Sequence, residues 1–460
     1  MSARVVHFLA ATALAGLATP ARAQQQPPAV RPLGPITNVS HDTLSAVAAA
    51  VQVAGGRVYV NDISARRVLL YDSTLANMTV VADSASGGAN AYGSRPGTLL
   101  PFHGDSALFI TPSALSMLVL SPTGAITRTM AMPPSGGGGL PALLGNIFGT
   151  PGFDAHGRLA YYSPVRIQFR GPPPTSGAGF LMEPPDSAFV VRFDFATRTL
   201  DTAAIIHIAH SRTNIQRDDQ GKMNITITAY PPMTVDDWAV TSDGAIAVVR
   251  GRDYHVDRLN EDGSWTSAPR LAYAWERMND STKSALIDST ATAMQTVMDS
   301  MPARMQRATG AGAAAAGGAA VVAGDRAPAG GGGGGTFQMT IVGPGGGDGR
   351  AGGGGGGGGP TTVTMSAPKV VKAEVADVPD YRPVFRQGAV RADLEGNLWI
   401  RTNKMVDARP VYDIVNRDGQ VTDRVQLPQF RTIAGFGPGV VYMAVRDSSG
   451  TTHLERARVR

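Results

Sequence analysis

From about residue 34 onward the chain is written in short apolar runs separated by clusters of Gly, Asp and Pro. That punctuation predicts strands joined by tight turns, an all-β pattern. The runs also repeat as a phrase: an apolar strand, a turn ending in Gly or a polar substitute, a second apolar strand, a loop, then a third strand ending near Asp-x-x-Gly. Its cleanest copy is Ala389–Ala392, the turn Asp393-Leu394-Glu395-Gly396, Asn397–Ile400, then Val411–Val415 with Asn416-Arg417-Asp418-Gly419, and a fourth run from Val421 to Leu427. Further copies centre on Arg57–Val60 with Val68–Tyr71, Ala107–Ile110 with Met117–Leu120, Phe153–Leu159 with Phe189–Phe193, Ala245–Val249 with Tyr254–Leu259, and Val440–Val445 with His453–Val459.

Six copies of a small sheet with both faces apolar cannot bury themselves singly, so they must stack on one another. The pattern predicts an all-β, six-bladed β-propeller over residues 34–275 (blades 1–4) and 377–460 (blades 5–6). Two packed β-sandwich domains would not require the same turn in every unit. The sixth copy ends at Arg460 one strand short, and Pro35–His41 has no other role. The N-terminal segment is therefore expected to supply that strand and close the last blade.

Residues 276–376 interrupt the repeat. Ile287, Ala291, Met294, Met298 and Met301 recur at helical spacing, which predicts a helix over about 280–301, capped by Asp280 or Ser281 and stopped at Pro302. Gly/Ala-rich tracts follow, around the apolar island Phe337–Val342, and predict a disordered linker. At the other end, Arg4, the apolar Val5–Leu17 and Ala21-Arg22-Ala23 have the layout of a signal peptide, residues 1–23, followed by a disordered leader, 24–33. The expected location is secreted or periplasmic, with no transmembrane segment after cleavage.

Composition narrows the chemistry. With no cysteine there are no disulfides, thiol nucleophiles, lipid attachment or thiolate metal sites. The formal charge of +5 is spread among acidic residues without a basic, aromatic-interleaved track, which argues against nucleic acid. Neither a Gly-x-Ser-x-Gly elbow nor a phosphate loop is present. His207 and His210, three apart on a strand-like segment, point to opposite faces and do not suit a metal.

In such a ring, the loops between second and third strands share a face with the loops between blades. Those loops carry Asn61, Asp62, Arg66, Arg250, Arg252, Asp253, Tyr254, Arg401, Asn403, Arg446 and Asp447, with Arg382 just ahead of the fifth blade. The functional expectation is an anion site in which Arg250, Arg401 and Arg446 converge, with Asn61, Asp62, Arg252, Tyr254, Arg382 and Asn403 around them. The structural alternative is that these arginines pair with Asp62, Asp253 and Asp447 to link blades. Tyr381 and Arg382 are equally explained as re-anchoring the chain after the insertion.

Gly396-Asn397-Leu398-Trp399-Ile400-Arg401 with its later Asp-Gly turn resembles the repeat of NHL-type propellers. Together with Val58–Asp62, Leu70–Asp72, Tyr381–Pro383 and Asp393–Arg401, it resembles a bacterial exported six-bladed propeller family of NHL-like or TolB-like type. The resemblance implies a binding or interaction module without a cofactor, taking a small anion, carbohydrate, peptide or another envelope protein at the axial face. The alternative is a metal-dependent hydrolase similar to gluconolactonase-like propellers, which would use calcium or another divalent cation. Asn61, Asp62 and Asn403 lie near that face, but no glutamate stands where that family's pattern places one.

Overall fold

The computed structural model describes residues 28–85, 91–103, 105–111, 114–133, 148–165, 179–219, 222–310, 336–341 and 361–460. The expected signal peptide and most of the Gly/Ala-rich linker lie outside them. The chain is mostly β, built from many small antiparallel sheets, an arrangement consistent with a β-propeller.

Six of these sheets follow the repeat, each with its strands in sequence order from the first. Sheet 1 is Val47–Gln52, Val58–Asp62, Arg67–Tyr71 and Met78–Asp83. Sheet 2 is Thr98–Phe102, Ser106–Thr111, Ser116–Leu120 and Ile126–Ala131. Sheet 3 is Gly152–Phe153, Leu159–Pro164, Ser187–Phe193 and Leu200–His207, and sheet 4 is Asp237–Val240, Ile246–Arg250, His255–Leu259 and Trp265–Ser267. Sheet 5 is Phe385–Ala392, Leu398–Val406, Arg409–Val415 and Val421–Gln426. Sheet 6 is Arg431–Gly437, Val440–Arg446 and Thr452–Arg458, with Ile36–Val39 antiparallel to the last of these.

The apolar runs that open the second strands reflect burial on both faces. Val58 and Val60 pack toward sheet 6, while Tyr59 between them packs toward sheet 2. Leu398 and Ile400 likewise face sheet 4, and Trp399 faces sheet 6. Six apolar clusters join sheet 1 to 2, 2 to 3, 3 to 4, 4 to 5, 5 to 6, and 6 back to 1. At about 1.5–3 kcal/mol for each large side chain buried, these seams dominate the favourable side of folding.

The repeated turn has a local cause. Asp393 accepts from the backbone N–H groups of Glu395 and Asn397, the Asn397 amide, and the buried Trp399 indole at 3.0 Å. Gly396, at φ 84°, supplies the left-handed step that lets the two strands pair, the role Gly takes in three-residue hairpin loops.

Three expectations are corrected. The leader is ordered at its end: Val30–Pro32 runs parallel to Val421–Gln426, Arg31 pairs with Asp423 at 2.6 Å, and Leu33 enters the seam between sheets 5 and 6. The helix, α1 (Asp280–Gly310), continues past Pro302, and its cap is Asn279, whose Oδ1 accepts from the Thr282 N–H at 2.9 Å. Finally, the insertion is not wholly without strands. Thr336–Ile341 and Thr361–Ser366 pair with each other, and Thr361–Ser366 and Lys369–Lys372 extend a side sheet formed by Gly179–Met182, Thr213–Arg217 and Met223–Ala229.

Gly435 tests the seam between the last and first sheets, because a Cβ there would lie 1.9 Å from the Ala50 carbonyl oxygen. Gly435→Ala is expected to lose about 1–3 kcal/mol in chemical denaturation, the cost of overpacking. Unchanged stability would mean that this close approach does not exist.

Candidate functional site

An antiparallel sheet brings the start of its first strand and the end of its second to one edge. On that edge of sheet 5 stand Arg386 and Gln387, at the first strand, and Arg401, Thr402, Asn403 and Met405, at the second. They enclose a cavity of about 490 Å³ with Arg382, Pro383, Pro232 and Leu286 of α1. Three guanidinium groups line it and, among the described residues, no carboxylate does.

Arg382 is committed to Glu276, with Nε and Nη2 at 2.8 and 3.1 Å from its two carboxylate oxygens. Arg386 and Arg401 are exposed and make no hydrogen bond or ion pair among the described residues. Gln387 Nε2 is buried without a hydrogen-bond partner. Asn403 is held by its amide donating to the Pro383 carbonyl at 2.7 Å. Unpaired guanidiniums beside an orphaned amide donor, with no acid to balance them, make a site that an anion would complete.

A second cavity, about 750 Å³, adjoins the first and shares Pro232, Leu286, Arg386 and Gln387 with it. Its walls are mainly apolar, from Met294, Val297 and Met298 of α1 and Pro231 and Met233 opposite. The helix lies mainly against the side sheet: Ile287 packs with Met278 and Val378, Ala291 is buried, and Met294 and Met298 are half-buried. It is pinned by Lys372 to Asp288 at 2.7 Å and by Gln295 accepting from the Val370 N–H at 2.9 Å.

The other residues singled out from the sequence are placed differently. Asn61 is buried, donating to the Gly97 carbonyl at 2.8 Å and accepting from the Tyr92 hydroxyl at 2.6 Å. Asp62 is fully buried and binds the Ser45 and Ala46 N–H groups and Arg67. Tyr254 is fully buried, donating to Asp413 at 2.9 Å, and burial drives its phenol pKa well above the usual range. Arg250 bridges Asp236 and Asp257 at 2.8 and 2.7 Å, so it is a structural link, though to neither Asp62, Asp253 nor Asp447. Asp253 instead meets His255 and Arg270, and Asp447 folds onto Ser449 and Thr451. Arg446 is exposed, its Nε donating to the Gly450 carbonyl, and lines none of these cavities. Arg252 lines a third cavity, of about 1230 Å³. The expected convergence of Arg250, Arg401 and Arg446 is therefore replaced by Arg382, Arg386 and Arg401. Arg386 and Gln387 had no signal in the sequence beyond preceding an apolar strand.

His207 and His210 part company: His207 lies on the third cavity, and His210 pairs with Glu183 at 3.1 Å beside the second. Among the described residues no group of three or more His, Asp or Glu side chains is arranged to hold a metal ion. No helix among them is long and apolar enough to cross a membrane.

One buried acid stands apart. Asp237, on the first strand of sheet 4, accepts from the Val390 N–H of sheet 5 at 2.8 Å, while its Oδ1 is buried and unpartnered. Burial raises its pKa to about 7, against the Val390 hydrogen bond and the charge of Arg391.

The chain matches no protein-family model and no curated protein. Among solved structures it is similar to an exported protein from Bacteroides fragilis, with TM-score 0.41, 7% identity, and 93% and 94% of the two chains covered. It is also similar to a gluconolactonase-type protein, with TM-score 0.35, 12% identity, and 92% and 94% covered. A third is virginiamycin B lyase from Staphylococcus aureus, with TM-score 0.33, 9% identity, and 91% and 97% covered. At TM-scores below 0.5 these likenesses carry no argument about what the chain binds or does.

Asp237 gives a pH signature. The native chain keeps a proton that the unfolded chain releases above about pH 4, so the stability it confers is complete below that pH and lost as pH rises through 7. The urea midpoint is expected to fall between pH 5 and pH 8, and to fall less in Asp237→Asn. Parallel pH profiles for the two proteins would contradict a protonated buried acid.

Proposed function

We propose that the six sheets are the blades of a six-bladed β-propeller, with Ile36–Val39 completing the last, and that the chain is an exported binding module for a small anion. The chain of apolar seams that returns from sheet 6 to sheet 1 supports the blade count. The observation that carries the binding reading is the cavity at the edge of sheet 5, where, among the described residues, no acid lines the wall and Arg386, Arg401 and the buried Gln387 Nε2 have no partner.

Two like charges facing one cavity repel each other until a counter-charge arrives, and guanidinium forks match carboxylate or phosphate oxygens. Asn403, oriented by Pro383, and Thr402 add neutral polar groups at the same edge. Leu286 of α1 supplies an apolar part of the cavity wall. No covalent chemistry is required of any of these residues. Secretion is proposed from the signal-like N-terminus alone.

Calorimetric titration with succinate, citrate and inorganic phosphate tests this. Binding of at least one is expected, weakening with salt, and falling about ten- to a hundredfold in Arg386→Ala and in Arg401→Ala, the loss of a charge-assisted hydrogen bond. Arg446→Ala, outside the cavity, should bind as the parent does. Binding that needs calcium and disappears with EDTA would overturn this reading in favour of the metal-dependent hydrolase class.

A further inference from the structure

Apart from the anion cavity, four aromatic rings run in line from the core to the surface beside sheet 4. Tyr254, locked to Asp413, meets Tyr273 edge to face at 5.7 Å between centroids. Tyr273 meets Trp275 at 5.6 Å, and Trp275 meets Tyr381 at 6.3 Å, each pair close to perpendicular. The outer two are 39% and 47% exposed and front the cavity of about 1230 Å³. Large rings held in water at a concave surface forgo burial that most aromatic side chains obtain.

These rings are held rigidly. The segment just before α1 pairs with the segment leading to sheet 5: Met278 N–H donates to the Asp380 carbonyl at 2.8 Å, and Arg382 N–H to the Glu276 carbonyl at 2.9 Å. Arg382 to Glu276 and Lys283 to Asp380, at 2.8 and 2.6 Å, tie the same two segments by charge. Trp275 and Tyr381 are thus presented from a two-stranded ribbon, and Tyr273, two residues ahead of Trp275, rests on the buried Tyr254. A platform fixed before the ligand arrives loses little entropy on binding.

The rest of the lining carries both signs of charge. His207, Arg252 and Arg270 share the cavity with Asp253 and Asp380; Arg270 is 3.5 Å from Asp253, and Lys283 holds Asp380 from outside it. These groups offer both donors and acceptors, and an anion would meet the two carboxylates, unlike at the cavity on sheet 5. A cation would gain from the ring faces but meet both arginines. A wholly apolar ligand would strip water from four charged groups and return no hydrogen bonds. What fits is a molecule with a flat C–H face, a rim of hydroxyls that both donate and accept, and no charge.

We propose that the Trp275–Tyr381 cavity is a second binding site, for a neutral oligosaccharide stacked on these rings. The volume exceeds the roughly 300–1,000 Å³ usual for one small ligand, which favours several linked sugar units over one. Arg252, Arg270, Asp253 and Asp380 set which hydroxyls are recognised.

The purified full chain applied to an array of neutral and acidic glycans tests this, with the best neutral ligand then titrated by tryptophan fluorescence. Trp238 and Trp399 are fully buried, so a ligand-induced change reports Trp275 or Trp265, which is 46% exposed on the outer strand of sheet 4. Retention of neutral oligosaccharides is expected, with affinity about tenfold lower or worse in Trp275→Ala and in Tyr381→Ala. Trp275→Phe, which keeps a ring, should restore much of it, and this separates stacking from a folding defect. Trp265→Ala and the Arg386→Ala/Arg401→Ala pair should bind glycans as the parent does, so this site and the anion cavity succeed or fail separately. Retention of no glycan, retention of acidic glycans only, or neutral binding untouched by both Trp275→Ala and Tyr381→Ala would overturn the proposal.

Discussion

A four-stranded sheet with apolar side chains on both faces has no stable existence alone, because whichever face it covers, the other remains in water. Each sheet here meets that constraint by pressing one face on its predecessor and one on its successor. The second strands show it most plainly, since successive residues such as Tyr59 and Val60 belong to different seams. Everything else in the molecule is arranged around those seams. Turns must be tight enough to keep strands short, loops must leave at the sheet edges, and extra elements must attach outside the packed faces.

Where side chains of charged type enter the seams, they serve them. Asp62 gathers two backbone N–H groups and Arg67, Arg250 holds two aspartates, and Asp413 is shared between Tyr254 and Arg424. Each of these aspartates is buried or half-buried, and its oxygens are occupied by the protein itself. The contrast with Arg386 and Arg401 is chemical: there, the protein provides the cations and leaves out the acids. A cavity whose described lining carries cations without acids leaves its electrostatic balance to ions from solution.

The repeat was legible in the chain because it is dictated by local chemistry. The Asp393-x-x-Gly396 turn needs a side-chain acceptor at its start and a left-handed residue at its end, and both leave letters in the sequence. The strands declared themselves by two-sided apolarity. The side sheet was not legible, since Thr213–Arg217 and Met223–Ala229 are polar enough to read as loop, and Met223–Ala229 finds its further partners more than a hundred residues away. The same limit hid the site. Asn61 and Asp62 look like loop polar groups available to a ligand, yet long-range packing buries them, whereas Arg386 gains meaning only when Arg401 and α1 are brought beside it. Sequence spacing reports which residues neighbour one another along a strand, and says little about which strand ends meet.

The short ribbon that carries Trp275 and Tyr381 also changes how the chain can vary. It brings together the two points between which about a hundred residues leave and return, a segment that carries α1 and strands of the side sheet. The entropy of closing a loop grows only with the logarithm of its length, about 0.6 kcal/mol for each doubling. Changes of length between α1 and those strands therefore cost the six sheets little, while a single change at the ribbon would be felt on both sides of it.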